Sequence, residues 1–254
     1  LYLYPFALLG YAGFGTALSL ASADELRLRN ALGRAALVGL GFGTGANLVL
    51  LRFVPPTVVR FVGISSVVGW LLLLLLCLAQ ALVFVAMALM CAALLKKRAP
   101  LVAVLPIGTL FAQFVPTVVF PWSPAGVGGF PISQIQLAEW IGERGVAMGL
   151  AALAALLAEA AFLVAQGDKA GAGKRVGIAA LVIAINGAFG AWRVARIDAW
   201  RANSQTMKIA LVDPYIDAID RWENKNSFSI LRRLNEQTKE AESKGVDLTI
   251  WPEA

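Results

Sequence analysis

Between Phe61 and Leu95 the chain carries no charged residue. As a helix that stretch would run about 52 Å at 1.5 Å per residue, against a bilayer hydrocarbon core of about 30 Å. Further apolar runs of span length recur on both sides of it, which marks membrane-crossing segments rather than the buried core of a soluble domain. Only 15% of the residues are charged and 59% are hydrophobic, whereas soluble domains carry about 25% charged residues. Six spans are expected, at 2–21, 35–52, 66–95, 100–118, 145–166 and 175–192. Ser65, Ser66 and Gly69 place the first turns of the long run at the interface, and Pro106 and Pro116 make the fourth segment short or kinked.

Charge divides the chain. Residues 1–192 hold 12 Lys/Arg and 6 Asp/Glu, while residues 193–254 hold 10 of each. The net charge of +6 therefore belongs to the apolar part, and the tail is neutral but densely charged. A nucleic-acid partner is not expected, because that would call for a basic face on the extramembrane part. The basic loops alternate with poorer ones: Arg27, Arg29 and Arg34, then Lys96, Lys97 and Arg98, then Lys169, Lys174 and Arg175. The positive-inside rule puts these three loops in the cytoplasm. The tail then lies outside, in the periplasm of a bacterium, with residues 1–192 in its inner membrane. Arg193, Arg196 and Arg201 do not oppose this, since large domains translocate largely regardless of charge.

Residues 193–207 are read as a linker and 208–254 as the start of an extramembrane α/β domain. Lys208–Val212 forms a strand pattern, and Phe228, Leu231, Leu234 and Ala241 recur at helical spacing up to Gly245. Val246–Trp251 gives a second strand stopped by Pro252. The β-α-β order implies a parallel pair, and so short a unit buries little core by itself.

Chemistry-bearing residues are few. His is absent, so neither a His-based triad nor a His metal site exists in these residues, and no metal or organic cofactor is expected. Cys77 and Cys91 share one apolar run, near one helix face, with no cation beside them to activate a thiolate. Glu159 is an intramembrane acid, for which Asn186 is the expected hydrogen-bond partner. Glu253 directly follows the second strand, where open parallel sheets gather reacting groups. There it is either a desolvated general base or a solvated acid past a strand end. Trp222 is either a packed aromatic or a substrate contact, and Trp122 either an interfacial anchor or a ligand contact.

A set of local sequences adds to this reading. The tail reads Lys-Ile-Ala-Leu-Val-Asp-Pro-Tyr-Ile at 208–216, then Arg221-Trp222, then Asp-Leu-Thr-Ile-Trp-Pro-Glu ending at Glu253, with Trp222 and Glu253 31 apart. Phe120-Pro121-Trp122, the segment Gln136–Val146 and the glycine-rich stretch Gly39–Gly45 accompany them in the helical part. Together these resemble the apolipoprotein N-acyltransferases, whose catalytic domain is nitrilase-like (αββα). The resemblance implies a Glu-Lys-Cys triad with Glu253 as the base. It implies a phospholipid acyl donor, a Cys thioester, and the α-amine of a diacylglyceryl apolipoprotein as acceptor. It also implies that Trp222, and with less support Trp122, lie near the substrate, and that the protein is a monomer. The Lys and the Cys would lie past residue 254 and a first helix before Leu1, so the 254 residues alone are expected to be inactive. Asp213-Pro214-Tyr215 departs from the family's Gln-containing pattern, and so does the loop after Trp122.

Two other readings compete. A non-catalytic polytopic module, transporter-like or scaffold, leaves the Trp-Pro-Glu ending unexplained and lacks visible repeats. A membrane-tethered amidase would use the same triad on soluble substrates.

Overall fold

The structure, a computed structural model, describes residues 4–23, 27–116, 119–120, 131–213, 215 and 227–251. It divides into two units, Leu1–Ile197 and Asp198–Ala254. The first is helical: α1 Tyr4–Ala21, α2 Leu28–Leu50, α3 Val54–Val62, α4 Ser66–Gln80, α5 Leu82–Lys96, α6 Leu101–Ala112, α7 Ala138–Ala165 and α8 Lys169–Ala202. A 3₁₀ turn, Ile132–Gln134, precedes α7.

The uncharged run is not one helix. Its first residues end α3, where Gly63 adopts φ 73° and closes the helix, and a new helix starts after Ser65. The Ser65 hydroxyl accepts from Val68 N–H at 3.4 Å, an N-cap that satisfies one of the orphan donors of the first turn. From Ser66 the helix runs on through Ala81, with Ala81 N–H donating to Cys77 O at 2.9 Å and Val85 N–H to Ala81 O at 3.0 Å. Upstream, Pro55 and Pro56 favour a fresh helix start, and α3 leaves α2 at 59°.

The apolar helices differ in length. Among the described residues, three helices are long and apolar enough to cross a membrane: Ser66–Lys96, Ala138–Ala165 and Lys169–Ala202. The bent pair α2–α3 makes a fourth if taken as one broken span. Pro5–Ala21 and Leu101–Ala112 are apolar but shorter, so α6 stops short of the span expected at 100–118. Hydropathy alone gives α6 extra length because the residues after it are apolar too. α8 continues to Ala202, through the first part of the stretch read as linker, and the boundary between the two units falls inside it.

Small residues build the centre of the first unit. Along α2, Ala31, Ala35, Gly39, Gly43 and Asn47 are buried at four-residue spacing, a stripe that lets α5 approach closely. A Cβ on Gly39 would stand 2.5 Å from Phe84 O, and one on Gly43 2.9 Å from the Ala81 Cβ. Phe14 stacks on Phe42 at 4.5 Å between ring centroids, and Phe42 meets Phe84 edge-on at 5.4 Å, joining α1, α2 and α5. α6 fits against α5 through Gly108, where a Cβ would collide with Cys91 Sγ. Both cysteines are free and fully buried. They do not serve one cluster: Cys77 packs with Leu51 and Leu73, and Cys91 sits in the main core with Met87 and Val104.

Glu159 does not pair with Asn186. Arg175 Nε donates to Glu159 Oε2 at 2.9 Å, joining the facing ends of α7 and α8. The turn between those helices, with Gly167 at φ 85°, brings the two side chains level, whereas Asn186 lies about three turns farther along α8.

The second unit holds a two-stranded parallel sheet, β1 Ile209–Leu211 and β2 Leu248–Ile250, joined through α9 Ser227–Ser243. Ile209 pairs with Leu248 and Leu211 with Ile250. Gly245, at φ 66°, turns the chain out of α9. Leu211, Phe228 and Trp251 stay exposed, and Val212 and Ala241 are its only buried apolar residues among those described. The order and direction match the β-α-β expectation, and the thin core follows from having only two short strands.

Candidate functional site

The carboxyl edge of the small sheet is one candidate region. Because β1 and β2 are parallel, Val212–Asp213 and Trp251 leave the sheet from the same edge. Val212 N–H donates to Ile250 O at 3.0 Å, one bond past the paired strands. The Asp213 carboxylate accepts from Tyr215 N–H at 2.9 Å, an Asx turn that bends the chain away after β1. Trp251 Nε1–H donates to Thr238 Oγ1 at 2.9 Å and Gln237 Nε2 to Asp213 O at 3.1 Å, so α9 holds both strand ends. At the opposite edge Lys208 N–H donates to Asp247 Oδ2 at 2.8 Å. Glu253 lies two residues past Trp251, outside the described residues, as do Trp222 and Trp122.

The first unit contributes a polar device beside the Phe-Pro-Trp stretch. Gln80, the last residue of α4, is only 5% exposed. Its amide donates to Phe120 O at 3.0 Å and accepts from Val119 N–H at 3.1 Å. A single side chain thus satisfies both backbone groups, as a neighbouring strand would. Phe120 packs on the Leu51–Leu73–Cys77 cluster, so the backbone leading to Pro121 is anchored at two points. Gln80→Leu removes both hydrogen bonds, and a loss of about 1–3 kcal/mol of stability is expected. Thermal unfolding of the purified protein measures that loss. Faster cleavage by added protease within 113–137 would localise it.

A second polar device stands where α7 begins. Asn186 Nδ2 donates to Gln134 O at 2.9 Å and to Gln134 Oε1 at 2.8 Å, and Gln134 Nε2 donates to Ile183 O at 3.3 Å. Gly190 lets the 3₁₀ turn press on α8, since a Cβ there would collide with Ser133 O. Arg193 reaches Glu139 with a two-pronged ion pair, Nη2 to Oε1 at 2.6 Å and Nε to Oε2 at 3.1 Å. Within α7, Gly142 has φ 67° and ψ 176°, a kink open essentially to glycine alone. Gly142 and Gly145 are the glycines of the segment Gln136–Val146, and the first has this conformational reason to be glycine. Gly142→Ala is expected to cost about 1–3 kcal/mol, read as a lower unfolding temperature. The neighbouring open position Gly149, whose added Cβ meets nothing within 4 Å, should accept Ala without loss.

Sequence reasoning missed Gln80 and Gln134 and misassigned Asn186. Gln80 and Asn186 carry the same faint signal, a lone amide within an apolar stretch, which must find a partner when removed from water; Gln134, between Ser133 and Gln136, carries none. No group of three or more His, Cys, Asp or Glu stands together as a metal site among the described residues.

Comparison with known proteins bears on most of the first unit. Residues 1–156 match the family model described as the apolipoprotein N-acyltransferase N-terminal domain, more than half of the chain. The chain belongs to the apolipoprotein N-acyltransferase family. Among curated relatives, the apolipoprotein N-acyltransferase of Brucella suis biovar 1 (strain 1330) is 29% identical over 155 residues. That of Brucella melitensis biotype 1 (strain ATCC 23456 / CCUG 17765 / NCTC 10094 / 16M) is 28% identical over 152 residues. These alignments take in 59% and 58% of this chain but 28% of each relative, so the chain matches little more than a quarter of their length. The N-acyltransferase match runs from α1 into α7 and includes Gln80, Gln134 and Gly142, while α8 and the small sheet lie past it.

Proposed function

We propose that this chain is the membrane part and the first β-α-β unit of an enzyme that moves an acyl chain from a phospholipid to a lipoprotein amine. The observation that carries the reading is the family match over residues 1–156. The apolar helices agree with a lipid-borne acyl donor, and the parallel pair agrees with the opening of a nitrilase-like domain. In this reading residues 1–192 form six passes of a bacterial inner membrane and residues 208–254 face the periplasm.

The chemistry is acyl transfer in two halves. A thiolate attacks the phospholipid ester carbonyl, a lysophospholipid leaves, and a thioester remains. The α-amine of a diacylglyceryl-cysteine then attacks the thioester and takes the chain as an amide. Glu253, following the second strand, takes the thiol's proton and passes it to the leaving lysophospholipid oxygen, then takes the amine's proton and passes it to the departing thiolate. A Lys ammonium stabilises the oxyanion of each tetrahedral intermediate. In this reading neither Cys77 nor Cys91, both buried inside the helical unit, is the nucleophile. The isolated chain would then hold no acyl group. Trp222 and Trp122 serve as lipid or substrate contacts in the same reading, and the enzyme works as a monomer without metal or organic cofactor.

The test is made on the polypeptide encoded by the whole gene, purified and mixed with phospholipid and a diacylglyceryl-cysteine peptide. Formation of the triacylated peptide through a hydroxylamine-sensitive acyl-enzyme is the expected result. Lack of both, in folded protein, would overturn the reading.

A further inference from the structure

Two carboxylates flank the small parallel sheet, and they are used differently. At the amino edge Asp247 Oδ2 accepts from Lys208 N–H at 2.8 Å, which spends that carboxylate on closing the ladder. At the carboxyl edge Asp213 follows Val212, whose N–H still reaches Ile250 O. Asp213 Oδ1 accepts from Tyr215 N–H at 2.9 Å, and its backbone carbonyl accepts from Gln237 Nε2 at 3.1 Å. The turn holds the residue on one side and α9 on the other. Among the described residues Oδ2 accepts no hydrogen bond, and no cation pairs with this exposed carboxylate. Asp213 therefore presents a negative charge in a fixed place with one oxygen free.

The edge on which it stands gives that charge a use. Ligands of open parallel sheets gather outside the carboxyl ends of the strands. Neighbouring strands lie about 4.8 Å apart, so a group that reacts just past β2 does so within reach of the end of β1. The two substrates of the acyl transfer differ in sign. A phospholipid brings a phosphate, which a fixed carboxylate repels. The acceptor brings an α-amine, whose ordinary pKa of about 8 makes it an ammonium near neutrality. Only the acceptor complements Asp213. The same residue opens the Asp213-Pro214-Tyr215 departure from the family's Gln-containing pattern, so the charge is a feature of this chain.

We propose that Asp213 binds the α-ammonium of the acceptor in the second half of the reaction, an assignment that rests on the acyl-transfer reading above. Oδ2 accepts one ammonium N–H and brings the nitrogen to the thioester. The ammonium releases one proton to solvent, and the resulting amine attacks the carbonyl carbon. The C–N bond forms, the C–S bond breaks, and the second proton passes by way of Glu253 to the departing thiolate. Asp213 stays ionised throughout and takes no part in the first half.

The test uses the full-length polypeptide and the variant Asp213→Asn. Asn removes the charge and keeps the turn, because its side-chain oxygen also accepts from the N–H two residues on. Each protein is first acylated by phospholipid and then mixed with a diacylglyceryl-cysteine peptide or with hydroxylamine, a nucleophile that is uncharged near neutrality. The variant should form the thioester at the unaltered rate and lose it to hydroxylamine at the unaltered rate. Its half-saturating peptide concentration should rise about fivefold, the upper worth of an exposed ion pair. Added salt should raise that concentration in the unaltered protein and leave it flat in the variant. An unchanged half-saturation would overturn the assignment, and so would an equal slowing of thioester formation or of hydroxylamine cleavage, which would place the charge in the first half or in the fold. If the unaltered protein forms no acyl-enzyme at all, the acyl-transfer reading falls and this assignment with it.

Discussion

Gly39→Leu should prevent the helical unit from reaching its native packing, while Gly41→Leu should leave it intact. The two positions are neighbours on α2 and alike in hydropathy, so a sequence profile scarcely separates them. The difference is what each faces. A Cβ on Gly39 would stand 2.5 Å from Phe84 O and 2.9 Å from the Ala88 Cβ, whereas one on Gly41 meets nothing within 4 Å. A backbone carbonyl inside a helix cannot step aside as a side chain can. α5 would have to retreat, and the Phe14–Phe42–Phe84 stack would open with it. Overpacking a well-filled core costs about 1–3 kcal/mol and occasionally more. At a helix–helix contact made of small residues the upper end of that range is expected, because close backbone approach is what holds apolar helices together in lipid. The measurement is the yield and melting temperature of detergent-extracted protein for the two variants side by side. Equal behaviour of the pair would show that α2 and α5 do not meet along the Gly39 face.

Glu253→Gln, made in the full-length polypeptide, should cut acyl-enzyme formation from phospholipid by about 10²–10⁴-fold, the usual worth of a positioned general base. Gln keeps the size of the side chain and can still accept a hydrogen bond, but it cannot take up a proton at neutral pH. The loss should therefore appear in the rate of thioester formation, with unfolding temperature unchanged. Glu236→Gln is the matched control, an exposed acid on α9 paired with Arg232 at 2.8 Å and remote in role from the strand ends. Intact-mass detection of the acylated protein reads both variants. Undiminished acylation in Glu253→Gln would remove Glu253 from the reaction and leave the family assignment of residues 1–156 standing.

The order strand, helix, strand in the tail is legible in the residues themselves, because alternation and helical spacing are written in near neighbours such as Phe228, Leu231 and Leu234. So is the recurrence of apolar stretches. The number and bounds of crossing helices are less so. Apolar residues between Ala112 and Val119 read the same whether helical or not, and the positive φ at Gly63 that divides α3 from α4 is a property of backbone shape. Glu159 stands out as an anomaly in its apolar run, but its partner does not: Arg175 lies across a turn whose geometry decides who faces whom.

What the sequence determined by itself is solvent preference and local period, which give helices suited to lipid, a β-α-β tail, and the family whose motifs they carry. Tertiary structure alone decided which of many similar residues matter. Gly39 faces a carbonyl and Gly41 open space, Gln80 reaches across to Val119 and Phe120, and Asn186 binds Gln134 instead of Glu159. The reason is physical. Burial is a sum over neighbours along the chain as much as across it, so composition reports it. A contact between helices depends on the phase and tilt of both, which no single stretch of residues contains.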